Sequence, residues 1–438
     1  MKIHFIGIGG IGISGLAQYM HFQGHQVSGS DIATTPIIQK LRHFQMDITI
    51  PHNDTSIQNQ DLIIHSAIIK QDNPEIIKAK EKNIPILSRK EALQQILQNK
   101  KVYSVAGAHG KSTTTAILAA LMEGSAIIGA ESKEFGSNIR YDEKSDVLLF
   151  EADESDESFI YSNPYCSIVI NTEPEHMEYY NYDYERFFRA YEKFIMLAKK
   201  RVLNAEDPFL KKFVGKIDAQ WLTPSKDITN ITYLLQDDEP YTKFHLKNLG
   251  EFVVWGLGKH IALDASLAIL ASLDTLDIQT IKKKLLLFRG IKKRFDIVGS
   301  DAKCVLIDDY GHHPTEIKAT LESVQVYKKL KKLHKVTAIW QPHKYSRTID
   351  NLQEFVECFN GVDELIILPV WAAGETPQPI DFQNKFQKYN LTMAQDIKRD
   401  NLKINIIQNN TTIKTLDEGI IISFGAGDIT YKIRGIDA

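Results

Sequence analysis

Residues Lys2-Ile3-His4-Phe5-Ile6-Gly7-Ile8-Gly9-Gly10-Ile11-Gly12 begin with a strand-like apolar run and pass at once into Gly7-x-Gly9-x-x-Gly12. The apolar residues of Ile11 to Phe22 then recur at helical spacing. Strand, glycine turn and helix in that order bring bare backbone N–H groups to a helix N-terminus, where a pyrophosphate can approach them. After a second apolar stretch around Val27, Asp31 stands 19 residues past Gly12, about where such a unit places a ribose-binding carboxylate. Taken alone, this unit reads as that of a nicotinamide-dependent dehydrogenase. Glycines serving only close helix–sheet packing are the plainer alternative.

A second start lies at Val102 to Ala106, after the helical stretch Arg89 to Leu97. It runs into Gly107-Ala108-His109-Gly110-Lys111-Ser112-Thr113-Thr114-Thr115, followed by Ala116 to Met122 at helical spacing. The backbone of such a loop cradles nucleotide phosphates, with Lys111 reaching the β and γ oxygens and the Ser112 hydroxyl ligating Mg²⁺. The loop is shortened: Val105 occupies the place of the first glycine in a strict G-x-x-x-x-G-K-S, and Gly107 is the first glycine present. A dehydrogenase needs one pyrophosphate site, whereas a ligase that activates a nucleotide-linked substrate with ATP needs two.

Composition agrees with a globular enzyme. The 438 residues suffice for two to four domains at roughly 100–200 residues each. Lys plus Arg is 52 against 55 for Asp plus Glu, so no global positive field marks the chain as a nucleic-acid binder. Cys166, Cys304 and Cys358 form no C-x-x-C pair, which argues against a disulfide or zinc framework and for a reducing compartment. The glycines from Gly7 to Gly15 would break the helical core of a signal peptide, and no long apolar run lacks charges or breakers. The expectation is a cytoplasmic protein without membrane or nucleic-acid partners.

Apolar runs alternate with helical segments, so an α/β fold is expected, with helices on both faces of parallel sheets. Ligands of such sheets gather at the carboxyl ends of strands. Strand Val147 to Phe150 ends at Glu151-Ala152-Asp153-Glu154-Ser155-Asp156-Glu157. Glu151 stands where a nucleotide-bound Mg²⁺ would be, while the later acids read equally as a solvated face. Strand Ser167 to Ile170 leads to Asn171-Thr172-Glu173-Pro174-Glu175-His176, so His176 is a candidate to join Glu151 at a metal. A third unit starts at Cys304 to Ile307, and three of its strands end in Asp308-Asp309-Tyr310-Gly311-His312-His313, Gln341-Pro342-His343-Lys344-Tyr345-Ser346-Arg347 and Gly425-Ala426-Gly427-Asp428. The cations on that rim suit a phosphate or carboxylate.

Together these motifs resemble the Mur ligase family of peptidoglycan synthesis, over essentially the whole chain. The carriers are Gly7 to Gly15, Gly107 to Thr115, Glu151 to Asp156, Asn171 to Met177, Asp308 to Glu316 and Gly425 to Asp428. The resemblance implies three α/β domains: a Rossmann-like UDP-binding domain over 1–98, a central P-loop ATPase-type domain over 99–298, and a Rossmann-like domain over 299–438 that receives the amino acid. It implies ATP with Mg²⁺ or Mn²⁺, UDP-N-acetylmuramate and L-alanine as substrates, and a monomer or weak homodimer. The UDP substrate falls to Gly9, Gly10, Ile11, Gly12, Ser14, Asp31 and Ser66. ATP falls to Gly107, Ala108, His109, Gly110, Lys111, Ser112, Thr113, His260, Asp264, Arg294 and Asp309, the last facing the ribose. Ser112 and Glu151 would hold one metal, and Glu151 with His176 a second. Tyr310, His312, Lys344, Arg347 and Ala426 would surround the alanine and the transferred phosphate. The catalytic set is Lys111, Glu151, His176, His312 and Arg347, with His312 expected to accept or steer the amine proton because imidazole titrates near working pH.

The chain departs from the family pattern at three places. Ile261 and Asp264 replace two asparagines after His260 in a stretch that reads adenine, Lys344 replaces an arginine, and Lys293-Arg294 replaces a double arginine. Lysine keeps the charge and loses the bidentate fork. The rival readings are a muramyl-tripeptide recycling ligase, an NAD-binding oxidoreductase and a non-catalytic UDP-sugar sensor.

Overall fold

The computed structural model describes residues 1–175 and 177–436. His176 lies outside the described residues. The first α/β unit contains β1 (Lys2–Ile6), α1 (Ile11–Phe22), β2 (Gln26–Ser30), α2 (Pro36–His43), β3 (Asp47–Thr49), β4 (Leu62–His65), α3 (Pro74–Glu81), β5 (Ile86–Ser88) and α4 (Arg89–Ile96). Its five strands form a parallel sheet in the order β3-β2-β1-β4-β5. The order reverses direction at β1, so the glycine loop after β1 opens at the crevice where α/β sheets take ligands.

The second sheet is built from β6 (Lys101–Ala106), β7 (Ser125–Ser132), β8 (Ser137–Arg140), β9 (Val147–Glu151), β10 (Pro164–Val169), β11 (Lys200–Asn204) and β12 (Gln220–Leu222), with α5 (Lys111–Leu121) and α6 (Tyr184–Leu197) between them. The order is β12-β11-β10-β6-β9-β7-β8, parallel except for the β7–β8 edge. Here β6 is the strand at which the direction reverses, and the Lys111 loop follows it. A short helix α7 (Pro224–Asp227) leads to a three-stranded sheet of β13 (Ile228–Gln236), β14 (Glu239–Leu246) and β15 (Glu251–Trp255). Helices α8 (Lys259–Ser272) and α9 (Ile278–Leu285) follow.

The third α/β sheet has six strands. Its elements are β16 (Asp296–Ser300), β17 (Cys304–Asp309), α10 (Pro314–Lys331), β18 (Val336–Trp340), α11 (Tyr345–Asp350), α12 (Leu352–Cys358), β19 (Glu364–Ile367), α13 (Phe382–Lys385) and β20 (Leu391–Met393). An antiparallel sheet of β21 (Asp396–Asp400), β22 (Lys403–Gln408) and β23 (Thr411–Leu416) precedes β24 (Gly419–Phe424) and α14 (Ile429–Arg434). The six strands lie in the order β16-β17-β24-β18-β19-β20, β16 antiparallel to β17 and the remaining pairs parallel. Strands such as Val305–Ile307, Ala338–Ile339 and Ile420–Ile422 are wholly buried, as expected for strands covered on both faces.

Backbone contacts divide the chain into two compact units: Met1–Thr229 with His245–Phe252 and Leu263–Arg289, and Asn230–Phe244 with Val253–Ala262 and Gly290–Ala438. In the first unit, the core runs without a break from the first sheet into the second, joining Ile13 and Leu16 of α1 to Ile127 and Ile139. Gly15 permits that packing, since a Cβ there would lie 2.9 Å from Ile127 Cγ2. In the second unit, Trp340 is the centre of an aromatic cluster with Phe355, Phe359, Phe382 and Phe386. Among the described residues, no helix is long and apolar enough to cross a membrane.

Candidate active site

The first glycine loop is shaped by backbone and by one carboxylate. Gly7 and Ile8 both donate their N–H groups to the Ser30 carbonyl, at 2.9 and 3.0 Å. Gly9 N–H donates to Asp31 Oδ2 at 2.7 Å, and a Cβ at Gly9 would stand 2.8 Å from that oxygen. Asp31 therefore ties the end of β2 to the loop. Gly10 caps α1 without a side-chain bond, and Ile11, 39% exposed, begins the helix. The Ser14 hydroxyl turns inward to the Ile11 carbonyl at 2.9 Å. Ser66 borders the loop from the end of β4, its Cβ 3.1 Å from where a Cβ of Gly7 would be.

The second loop is dense with charge. Lys111 is the first residue of α5, behind Gly110, whose left-handed φ of 82° makes the turn. Lys111 Nζ donates to the Gly107 carbonyl at 2.5 Å, to the Ala108 carbonyl at 3.4 Å and to both oxygens of Glu154 at 2.8 and 2.7 Å. Glu154 is buried, and that burial pushes its carboxyl up to about 7 although Lys111 opposes the shift. Asp153 beside it is held down at about 2: burial works against ionisation, and Arg89 and Lys111 overcome it. The Asn171 side-chain amide clasps the His109 backbone in both directions at 3.1 Å, and His109 Nε2 lies 3.1 Å from Glu173. Asp264 on α8 packs against Gly110, its Oδ1 2.6 Å from where a Cβ would be. Burial pushes the Asp264 carboxyl well above the usual carboxylate range. His260 lies one turn earlier on the same helix, its imidazole lowered to about 4 by burial.

Ser112 Oγ donates to Glu151 Oε1 at 2.9 Å, and Glu151 Oε2 accepts from Gly129 N–H at 2.6 Å. Burial pushes the Glu151 carboxyl upward. A hydroxyl and a carboxylate converging on the mouth of a phosphate loop are hard oxygen donors of the kind Mg²⁺ takes, so these residues fit the expected cation. Thr113 is half-buried in the first turn of α5.

The second unit gathers the expected amino-acid set at the carboxyl ends of β17, β18 and β24. His312 Nδ1 lies 3.2 Å from the Tyr310 carbonyl and 3.4 Å from Glu316. Both neighbours are acceptors, so Nδ1 carries the proton and Nε2 keeps its lone pair. Burial lowers the imidazole to about 4. The expected titration near working pH is thereby corrected: the surroundings penalise imidazolium, and the ring stays neutral. Arg347 Nη1 donates to His343 Nδ1 at 3.2 Å. Arg294 pairs with Glu316 at 2.8 Å and lies over the Tyr310 ring. Asp309 accepts from Phe295 N–H and Gly311 N–H, both at 2.8 Å, and burial raises it to about 6. Lys344 caps α11 with φ 69° and ψ 136°, a left-handed backbone costly for any residue with a Cβ. Ala426 sits in the tight turn after β24, where Gly427 leaves room for Gln341 and Trp371.

The sequence reading left Glu154, Arg89, Glu316 and His343 without roles. Glu154 had one legible signal, its place in an acid run at a strand end. Arg89, read only as a helix start, carries the bonds that join α4 to the turn after β9.

Family models match residues 2–101 as the catalytic domain of the Mur ligase family and residues 293–414 as the Mur ligase glutamate ligase domain. A UDP-N-acetylmuramate–L-alanine ligase of Helicobacter pylori (strain P12) is 56% identical over 99% of this chain and 96% of its own length. The Campylobacter curvus (strain 525.92) protein of the same name is 52% identical, with 99% of both chains covered. The crystal structure of the UDP-N-acetylmuramate–alanine ligase of Thermotoga maritima superposes with a TM-score of 0.82 at 26% identity, covering 99% of this chain and 97% of that one. A murein peptide ligase of Psychrobacter arcticus shares the fold, with a TM-score of 0.64 at 19% identity over the full length of both chains.

Proposed function

This chain belongs to the Mur ligase family, and from that premise we propose that it uses ATP to join L-alanine to the carboxylate of UDP-N-acetylmuramate. The observation that carries the choice of substrates is identity of 52–56% across 99% of the chain to ligases named for that pair. In this reading residues 1–98 hold the UDP substrate, 99–298 hold ATP and 299–438 receive alanine.

A carboxylate is a poor acyl donor because its oxygen leaves badly. Attack of the muramyl carboxylate on the γ-phosphate gives an acyl phosphate and ADP. The neutral amine of alanine then attacks the acyl carbon, phosphate leaves, and one proton is lost from nitrogen. Lys111 steadies the charge that spreads over the phosphoryl oxygens. To do so it exchanges Glu154 for phosphate, two acceptors of like charge. Ser112 and Glu151 would hold a divalent cation, which supplies further screening of that charge when bound. His312, held neutral with the Nε2 lone pair available, accepts a hydrogen bond from the amine and steers it toward the acyl carbon, while the proton lost from nitrogen passes on to solvent. Arg347 offers its fork to a carboxylate or phosphate.

Phosphate release with UDP-N-acetylmuramate and a panel of amino acids tests the reading. Alanine should give the highest kcat/KM. Preference for a tripeptide would favour the recycling ligase, and no amino-acid-dependent release at all would defeat the proposal.

A further inference from the structure

Arg89 occupies an unusual place between the two phosphate loops. Its backbone is fixed, because Ser88 and Glu91 form a reciprocal capping box around the start of α4. Its side chain, 14% exposed, crosses to the turn after β9. There Nη2 donates to Ser158 Oγ at 2.8 Å, to Asp153 Oδ2 at 3.1 Å and to the two oxygens of Asp156 at 3.2 and 3.3 Å. The turn it anchors contains Glu154, the partner of Lys111.

The other terminal nitrogen of the guanidinium approaches the first loop. Nη1 lies 2.6 Å from where a Cβ of Gly12 would be, in the first turn of α1. The bonds to Asp153, Asp156 and Ser158 all leave from Nη2, whereas a guanidinium has five N–H donors in a rigid fork. One cation thus stands between the helix N-terminus of the first loop and the carboxylates Asp153 and Asp156 bordering the second. An anion arriving at the first loop would otherwise face those carboxylates directly.

We propose that Arg89 is a positioning residue that couples the two loops, its Nη1 face receiving the anionic group held at the start of α1 while Nη2 holds the Asp153–Ser158 turn. The inference rests on the pair of nucleotide substrates proposed above. An anion on Nη1 tightens the hold of the same guanidinium on the turn, and the turn keeps Nη1 aimed at the anion, so each nucleotide tightens the other. Linkage requires the same factor in both directions.

Calorimetry on the full-length protein tests this, with UDP-N-acetylmuramate titrated in the absence and presence of a non-hydrolysable ATP analogue. In the wild type the analogue should tighten the muramyl nucleotide by about tenfold, and the reverse titration should give the same factor. Arg89→Gln should bring the factor to about twofold or less, with Arg89→Lys intermediate because it keeps charge without the fork. Asp156→Asn, which leaves Arg89 in place, should also lower it and decides the matter if Arg89→Gln does not fold. A bond that served stability alone would lower Tm and leave the factor intact. A factor near one in the wild type, or an undiminished factor in the folded variants, overturns the inference. Absence of muramyl-nucleotide binding in the wild type would instead remove the proposed function on which it stands.

Discussion

The two glycine loops share a plan and differ in what surrounds them. The first carries few charges: backbone N–H groups, the Ser30 carbonyl and the single carboxylate of Asp31 give it shape, and the Arg89 guanidinium reaches it at Gly12. The second is packed with titratable and hydroxyl groups, Lys111 on Glu154 and Ser112 on Glu151. On the function proposed here, the contrast separates a loop shaped mainly by backbone, suited to holding a substrate, from one lined with titratable groups, suited to phosphoryl transfer. The first loop should then govern affinity, and the second the chemical step.

The sharpest way to break that comparison is Lys111→Ala, which should lower kcat by about 10³-fold in a single-turnover phosphate assay and leave muramyl-nucleotide affinity within about threefold. Gly110→Ala should cost about 10²-fold in kcat/KM, because it forces a side chain to φ 82° with its Cβ 2.6 Å from Asp264. Gly9→Ala pushes against Asp31 Oδ2 without a left-handed backbone, so it should raise KM for the muramyl nucleotide by about tenfold with kcat kept. Comparable losses of kcat from both glycine variants would erase the distinction between the loops.

The smallest expected effect is on pH. Glu154 titrates at about 7 in the folded chain, above its value in an unfolded one. Its contribution to stability is therefore complete below the unfolded value and lost as pH rises through about 7, because the folded state binds the extra proton in that window. Ionised Glu154 also competes with phosphate for Lys111. Affinity for the ATP analogue should weaken by about threefold from pH 6 to pH 8, with muramyl-nucleotide affinity flat, and Glu154→Gln should level the profile. Parallel pH profiles for the two ligands would count against unequal charge in the loops.

Much of the frame was legible because its signals are local. β1 and α1 fall where apolar run, glycines and helical spacing put them, at Lys2–Ile6 and Ile11–Phe22. α5 begins at Lys111, five residues before the apolar stretch that announced it, since the left-handed Gly110 starts the helix through β-branched threonines of weak propensity. β10 begins at Pro164 and ends at Val169, shifted toward the N-terminus from Ser167–Ile170, because pairing with β6 sets its limits more than its own composition. The site was harder to read. Glu154 and Asp156 look alike in an acid run, and only folding sends one to Lys111 and the other to Arg89. The neutral state of His312 depends on burial among residues remote in sequence, which no spacing rule conveys.

The left-handed backbone of Lys344 separates two quantities that usually travel together. A glycine at that position would relax a conformation worth about 1–3 kcal/mol and delete the cation in the same stroke. Such a protein would withstand more heat and turn over less substrate, so selection for durability alone would erode the rim of β18.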